Sequence, residues 1–142
     1  MLGRMRSSLR DVTSRDLLTV APEETLGEAA ERMAGRGVGA ALVMDFGRLV
    51  GILTERDLLA AVAGRVQTSE ARVREWMTEN PVTVPETTPI GRAASIMVTH
   101  GFRHLPIVDG ERTIGIVSLR DVVRSVVRAY PEYENDAEGD GE

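Results

Sequence analysis

Apolar positions along the chain change their period in a fixed order, and the whole order occurs twice. It opens with a short apolar stretch, LLTV at 17–20 and PVTV at 81–84, followed by a turn rich in Pro, Glu and Thr. Leu26, Ala29, Ala30 and Met33 then fall at i, i+3, i+4 and i+7, as do Ile90, Ala93, Ala94 and Met97, which predicts one amphipathic helix in each half. Gly37 and Gly101 end these helices. Two apolar runs come next, 40–45 with 49–53 in the first half and 105–109 with 113–117 in the second, each pair joined by a tight polar turn and so predicting a hairpin. Asp45 and Asp109 fit as turn residues. Asp57–Val62 and Asp121–Val127 read as closing helices, giving a β-α-β-β-α unit twice over.

Sliding the chain by 64 positions aligns residues 9–62 with 73–126 without a gap and makes 15 pairs identical. Roughly three or four would match by chance at average residue usage. The expected organisation is an N-terminal extension (1–8), a first repeat (9–64), a linker (65–72), a second repeat (73–128) and an acidic tail (129–142). One repeat has too little apolar surface to stand alone, so burial against its twin is expected. Met33 and Met97 are expected in the core, Trp76 and Met77 in packing, and the charges of 65–74 in solvent.

Composition narrows the chemistry. With no cysteine there is no disulfide or thiolate nucleophile, and the two histidines, His100 and His104, cannot alone form a multi-histidine metal site. No apolar run reaches the ~18 residues of a membrane-spanning helix, and the first ten residues lack the apolar core of a secretory signal, so a cytoplasmic protein is expected. The formal net charge is −5, but six acids and no base lie from Glu132 onward, leaving the body at +1. That balance, with five aromatic residues, disfavours a nucleic-acid binder, and the polar, acidic tail is expected to be disordered. All 17 basic residues are arginine. Neither a metal cluster nor a base-activated nucleophile is found, so no enzyme is expected.

The most specific signal follows each hairpin: GILTERD (51–57) and GIVSLRD (115–121) share Gly-apolar-x-Ser/Thr-x-Arg-Asp. Two readings stay open. Ser/Thr-x-x-Asp between a strand and a helix is close to a capping box, with Thr54 or Ser118 as N-cap. The same residues suit a nucleotide: glycine allows close approach, the hydroxyl and arginine can meet phosphate, the carboxylate can accept from ribose hydroxyls, and first-turn amides favour an anion.

Together with VREWMTENPVTV (73–84), TTPIGRAASIM (87–97) and HGFRHLPIVDGERTIGIVSLRDVV (100–123), these motifs make the chain resemble a tandem pair of CBS domains, a Bateman module, over about residues 9–127. The resemblance implies a mixed α/β fold of two β-α-β-β-α repeats related by a pseudo-twofold axis. It also implies adenosine-containing ligands in clefts between the repeats, and no catalysis. Under it, Asp57 and Asp121 would hold ribose hydroxyls, while Thr54 with Arg56 and Ser118 with Arg120 would meet phosphate. Asp16 and Leu18, and Asn80 and Val82, would frame adenine, largely through backbone groups. Only the second copy has Arg103 and His104 before its hairpin, where the first has Gly39 and Ala40, so the seats are expected to be unequal. The implied ligand is AMP, ADP or ATP, ahead of NAD or S-adenosylmethionine, and no cofactor is required. The implied assembly is a homodimer acting on itself or on a regulated protein, with a ligand-free interaction scaffold as the alternative.

Overall fold

A computed structural model describes residues 8–132. The N-terminal extension up to residue 7 and the acidic tail from 133 lie outside the described residues. The chain divides into two compact units whose boundaries are not those of the sequence repeats. One comprises Asp16–Val82 with Glu111–Thr113; the other contains residues 8–15, Thr83–Gly110 and residues 114–132.

In the first unit, Thr19–Val20 (β1) leads to the helix Leu26–Arg36 (α1), whose N-cap Thr25 accepts a hydrogen bond from the Glu28 amide at 3.1 Å. Gly37 ends α1 in the left-handed conformation, at φ 63°. The strands Ala40–Asp45 (β2) and Arg48–Thr54 (β3) form the expected hairpin, and the helix Glu55–Ala63 (α2) follows. Its turn departs from the sequence expectation: Phe46 and Gly47 both have positive φ, as the tight hairpin turn that matches strand twist requires, and Phe46 is fully solvent-exposed rather than polar. Directly after the segment read as linker comes a helical turn, Val73–Trp76 (α3), and a short strand, Thr78–Glu79 (β4), completes a sheet of order β1-β2-β3-β4. The core contains Leu26, Ala29, Met33, Val43, Leu53 and Val73, with the half-buried Trp76 and Met77 packed against it.

In the second unit, Val84–Pro85 (β5), Ile90–His100 (α4), His104–Asp109 (β6), Arg112–Ser118 (β7) and Leu119–Ala129 (α5) repeat the order. The sheet runs β5-β6-β7, and β5 is parallel to β6 just as β1 is parallel to β2. Its core holds Leu9, Ile90, Met97, Leu105, Ile107 and Val117.

Leu9 and Val73 therefore do not join the rest of their own sequence repeats. Each is fully buried in the unit built by the other copy's hairpin. The Leu9 amide donates to the Thr88 carbonyl at 3.0 Å and the Val73 amide to the Glu24 carbonyl at 2.9 Å, bonds that correspond under the 64-residue shift. Ser14 pairs antiparallel with Ile116, while β4 pairs antiparallel with β3 through Gly51↔Glu79 and Ile52↔Thr78. The opening segment of the second copy thus supplies an edge strand to the first copy's sheet, and that of the first copy makes a single bridge to β7.

The charges expected to be merely solvated at 65–74 are in part engaged. Arg72 donates to the Glu23 carbonyl at 2.9 Å, and Arg74 forms an ion pair with Glu23. Both arginines are exposed, so these contacts orient α3 more than they stabilise it.

Candidate functional site

Both Ser/Thr-x-Arg-Asp motifs sit where a β-strand turns into a helix, and both close a reciprocal capping box. The Ser118 amide donates to Asp121 Oδ2 at 2.9 Å, and the Asp121 amide donates to Ser118 Oγ at 3.0 Å. In the first unit the Thr54 amide donates to Asp57 Oδ2 at 2.8 Å, the Thr54 hydroxyl lies 3.1 Å from the same oxygen, and the Asp57 amide reaches Thr54 Oγ1 at 3.4 Å. The caps exist because a helix start leaves its first amides without partners, and Ser or Thr at the N-cap with an acid three residues on satisfies two donors at once. In each motif one carboxylate oxygen is committed to the cap, and the other, Oδ1, is not. At Asp121 that second oxygen is 4.0 Å from Arg124.

The first-turn amides are less open to an anion than the sequence suggested. The Leu119 amide donates to the Arg103 carbonyl at 2.8 Å, and the Glu55 amide to the Gly39 carbonyl at 3.0 Å. These bonds have a second consequence. They tie the residue before each hairpin to the first residue of the closing helix, so Arg103 is brought beside Ser118 and Arg120, which lie far from it in sequence. In the first unit the corresponding place is differently filled. A Cβ on Gly39 would lie 2.6 Å from Glu55 Oε1, so an acidic side chain covers the position that Arg103 occupies in the other copy. The first turn of α2 carries Glu55 and Asp57; that of α5 carries Asp121 alone, with Arg103 and Arg120 close by. Arg56, Arg103 and Arg120 are exposed and His104 is half-buried.

The glycines of the two motifs are explained by protein. A Cβ on Gly51 would lie 2.9 Å from the Thr78 carbonyl oxygen, and one on Gly115 would lie 2.9 Å from that of Ser14. What comes close is the exchanged opening segment. Sequence reasoning had the close approach but assigned it to a ligand, because the partner strand is 27 residues away in one case and 101 in the other.

The adenine-framing candidates fall less uniformly. Leu18 is 5% exposed and belongs to the core, and its carbonyl accepts from the Leu42 amide at 2.9 Å. Asp16 forms an ion pair with Arg36. Asn80 has a positive φ of 49° and donates its amide to the Val50 carbonyl at 3.2 Å, which fixes the chain as it leaves β4. Val82 is an exposed apolar side chain, 40% accessible. The first unit thus holds Asp16, Leu18, Thr54, Arg56, Asp57, Asn80 and Val82, and the second holds Arg103, His104, Ser118, Arg120 and Asp121. Among the described residues no His, Asp or Glu cluster suited to a metal ion occurs, and no helix is long and apolar enough to cross a membrane.

With strand-helix units, motif and caps in place, comparison with known proteins gives the class. Residues 9–64 and 73–128 match the CBS domain, and the chain belongs to that family as a CBS pair. It is 34% identical over 116 residues to the CBS domain-containing protein YhcV of Bacillus subtilis, covering 82% of this chain and 83% of that one. The CBS-domain containing protein ATU1752 of Agrobacterium tumefaciens superposes with a TM-score of 0.81 at 35% identity, over 86% of this chain and 95% of that one. The CBS domain pair of protein MJ0100, solved in complex with 5′-methylthioadenosine and S-adenosyl-L-methionine, superposes with a TM-score of 0.76 at 29% identity, over 83% and 98%.

Proposed function

We propose that this CBS pair is a regulatory module, not an enzyme, that binds an adenosine-containing ligand bearing phosphate, of the AMP, ADP or ATP class, and passes its occupancy to its own dimer or to a regulated protein. The observation that carries this reading is the grouping of Arg103 with Ser118 and Arg120 at the start of α5, through the 2.8 Å bond from the Leu119 amide to the Arg103 carbonyl. Two arginines and a hydroxyl residue grouped at the start of a helix suit a phosphate, and Oδ1 of Asp121, which the cap leaves out, can accept from a ribose hydroxyl. The adenosine-type ligands of the MJ0100 pair support the ligand class. The arginines favour a phosphate-bearing ligand over S-adenosylmethionine. Glu55 over Gly39 makes the first copy the weaker anion seat.

A scaffold that binds no ligand is the second reading, favoured by one observation: both motifs are fully formed as capping boxes, a role that accounts for Thr54, Asp57, Ser118 and Asp121. Melting temperature against AMP, ADP, ATP, NAD and S-adenosylmethionine separates the two. A ligand at ~100 times its dissociation constant stabilises by about 2.7 kcal/mol, and the shift should be lost in Arg120→Ala. No shift with any of the five at millimolar concentration selects the scaffold.

Assembly as a homodimer is part of the proposal. Leu59 and Val62 on α2 are 69% and 64% exposed, and Val123 on α5, at the position equivalent to Leu59, is 54% exposed. Such apolar side chains on the closing helices are what an interface between copies would cover.

A further inference from the structure

The tip of the first hairpin is costly to the fold that carries it. Phe46 has a φ of 50°, in the left-handed region that bulky side chains avoid, and it is 100% exposed. Under the 64-residue duplication its counterpart is Gly110, which takes a φ of 61° with no side chain to strain. A glycine or asparagine at position 46 would make the same turn at less cost, so nothing among the described residues accounts for the ring. An outlier of this kind points to a contact outside the chain.

The charges beside the ring say what that contact is. Asp45 and Arg48 are cross-strand partners on either side of Phe46 and Gly47. Both are exposed, and among the described residues neither forms an ion pair. Behind them Met44 and Leu49 pair across the strands and are half-buried. The tip therefore presents an acid, an aromatic ring and a base together, a composition complementary to itself. A twofold axis normal to the hairpin, just beyond its tip, sets the end of β2 in one copy against the start of β3 in the other. Each acid then meets a base, and the two rings meet each other. The second hairpin repeats the pair as Asp109 and Arg112 but has Gly110 and Glu111 between them, with no ring and an unmatched acid.

We infer that the tip of the β2–β3 hairpin is a self-association surface whose occupant is the same tip of a second copy, Phe46 against Phe46, with Asp45 of each copy facing Arg48 of the other. The contact uses none of the side chains of the closing helices and does not depend on the ligand reading. It is small beside the ~1,000 Å² of a stable interface, so it is a transient contact that forms at high chain concentration.

The test uses the full chain carrying Leu59→Glu and Val62→Glu, which removes the interface proposed for the closing helices. Sedimentation equilibrium up to millimolar chain should show reversible self-association. Phe46→Ser, a change at an exposed position that leaves circular dichroism unaltered, should weaken it about tenfold or more. Asp45→Arg gives a tip with two bases, and Arg48→Asp gives one with two acids. Each of these variants alone should stay monomeric, while an equimolar mixture of the two should associate at least as well as the parent. The effect should fade in ~1 M salt, where the screening length is ~3 Å. In the chain without the two glutamate changes the same contact should appear as growth beyond the dimer. A parent mass independent of concentration overturns the inference. So does association that survives Phe46→Ser unchanged, which would place the contact elsewhere, and so does a mixture no more associated than either variant alone.

Discussion

A Cβ placed on Gly115 would meet the carbonyl oxygen of Ser14 at 2.9 Å, and the same distance separates a Cβ on Gly51 from the carbonyl of Thr78. Residues 14 and 78, like 51 and 115, are equivalent under the 64-residue duplication. The glycine that begins each motif is the point at which the exchanged segment pairs closely with the strand, and backbone cannot swing aside as the end of a side chain can.

Gly51→Ala and Gly115→Ala should therefore each destabilise the fold by about 1–3 kcal/mol, the usual cost of forcing an atom into a packed site. Gly91→Ala is the contrast. It lies within α4, and a Cβ there meets nothing within 4 Å, so the substitution should stabilise by roughly 0.5–1 kcal/mol. Urea titration of the three variants gives the comparison.

Caps and ligand contacts separate in the second motif. Ser118→Ala and Asp121→Ala should each cost about 1 kcal/mol of stability. The double variant should cost less than their sum, because the two side chains complete one box. Arg120→Ala should leave unfolding unchanged within about 0.5 kcal/mol, as expected for an exposed residue, while removing the nucleotide-induced melting shift. Equal losses of stability in all three variants would count against the assignment of Arg120 to phosphate.

The inequality of the two copies can be read by exchange. Arg103→Ala should abolish most of the thermal shift produced by ATP, and Arg103→Glu should do so more completely, through repulsion of the phosphates. Glu55→Leu should strengthen ATP binding at the first motif, since it removes the acid that covers Gly39 and copies the residue found at 119. Isothermal titration at two salt concentrations checks all three, with the weaker response at high salt expected of charge contacts.

Dimerisation through the closing helices predicts that Leu59→Glu combined with Val62→Glu halves the mass measured by light scattering. The monomer should keep its far-ultraviolet circular dichroism, because both side chains are more than 60% exposed. A wild-type chain that already scatters as a monomer would dispose of the dimer.

Much of this was legible in the sequence because helix stripes, hairpins and caps are local. Leu26 and Met33 announce a buried face by spacing alone, and Ser118 with Asp121 announces a cap. What stayed hidden depends on residues distant in sequence. Val73 looked like the edge of a linker because nothing near it shows that Glu24 receives its amide or that the first unit's core receives its side chain. Phe46 escaped because a phenylalanine with positive φ at a hairpin tip runs against residue preference. Leu18 was read as framing adenine largely through backbone groups, and that its side chain joins the core while its carbonyl accepts from the Leu42 amide depends on residues distant from it. For Arg103 the sequence supplied the residue type and the copy-to-copy difference, but the bond to Leu119 that brings it to α5 required coordinates.

The exchange of opening segments also sets a timetable for synthesis. Residues 8–15 leave the ribosome well before the second hairpin, and Leu9 and Ser14 find their partners at Thr88 and Ile116, about 80 and 100 residues later. The unit of Asp16–Val82 can be completed while translation continues, apart from the hairpin tip Glu111–Thr113. The other must keep its opening segment waiting until β7 has been made. Contacts this distant in sequence slow folding, because the chain must be closed over a long loop before they form. Until then, Leu9 is an apolar residue without a core.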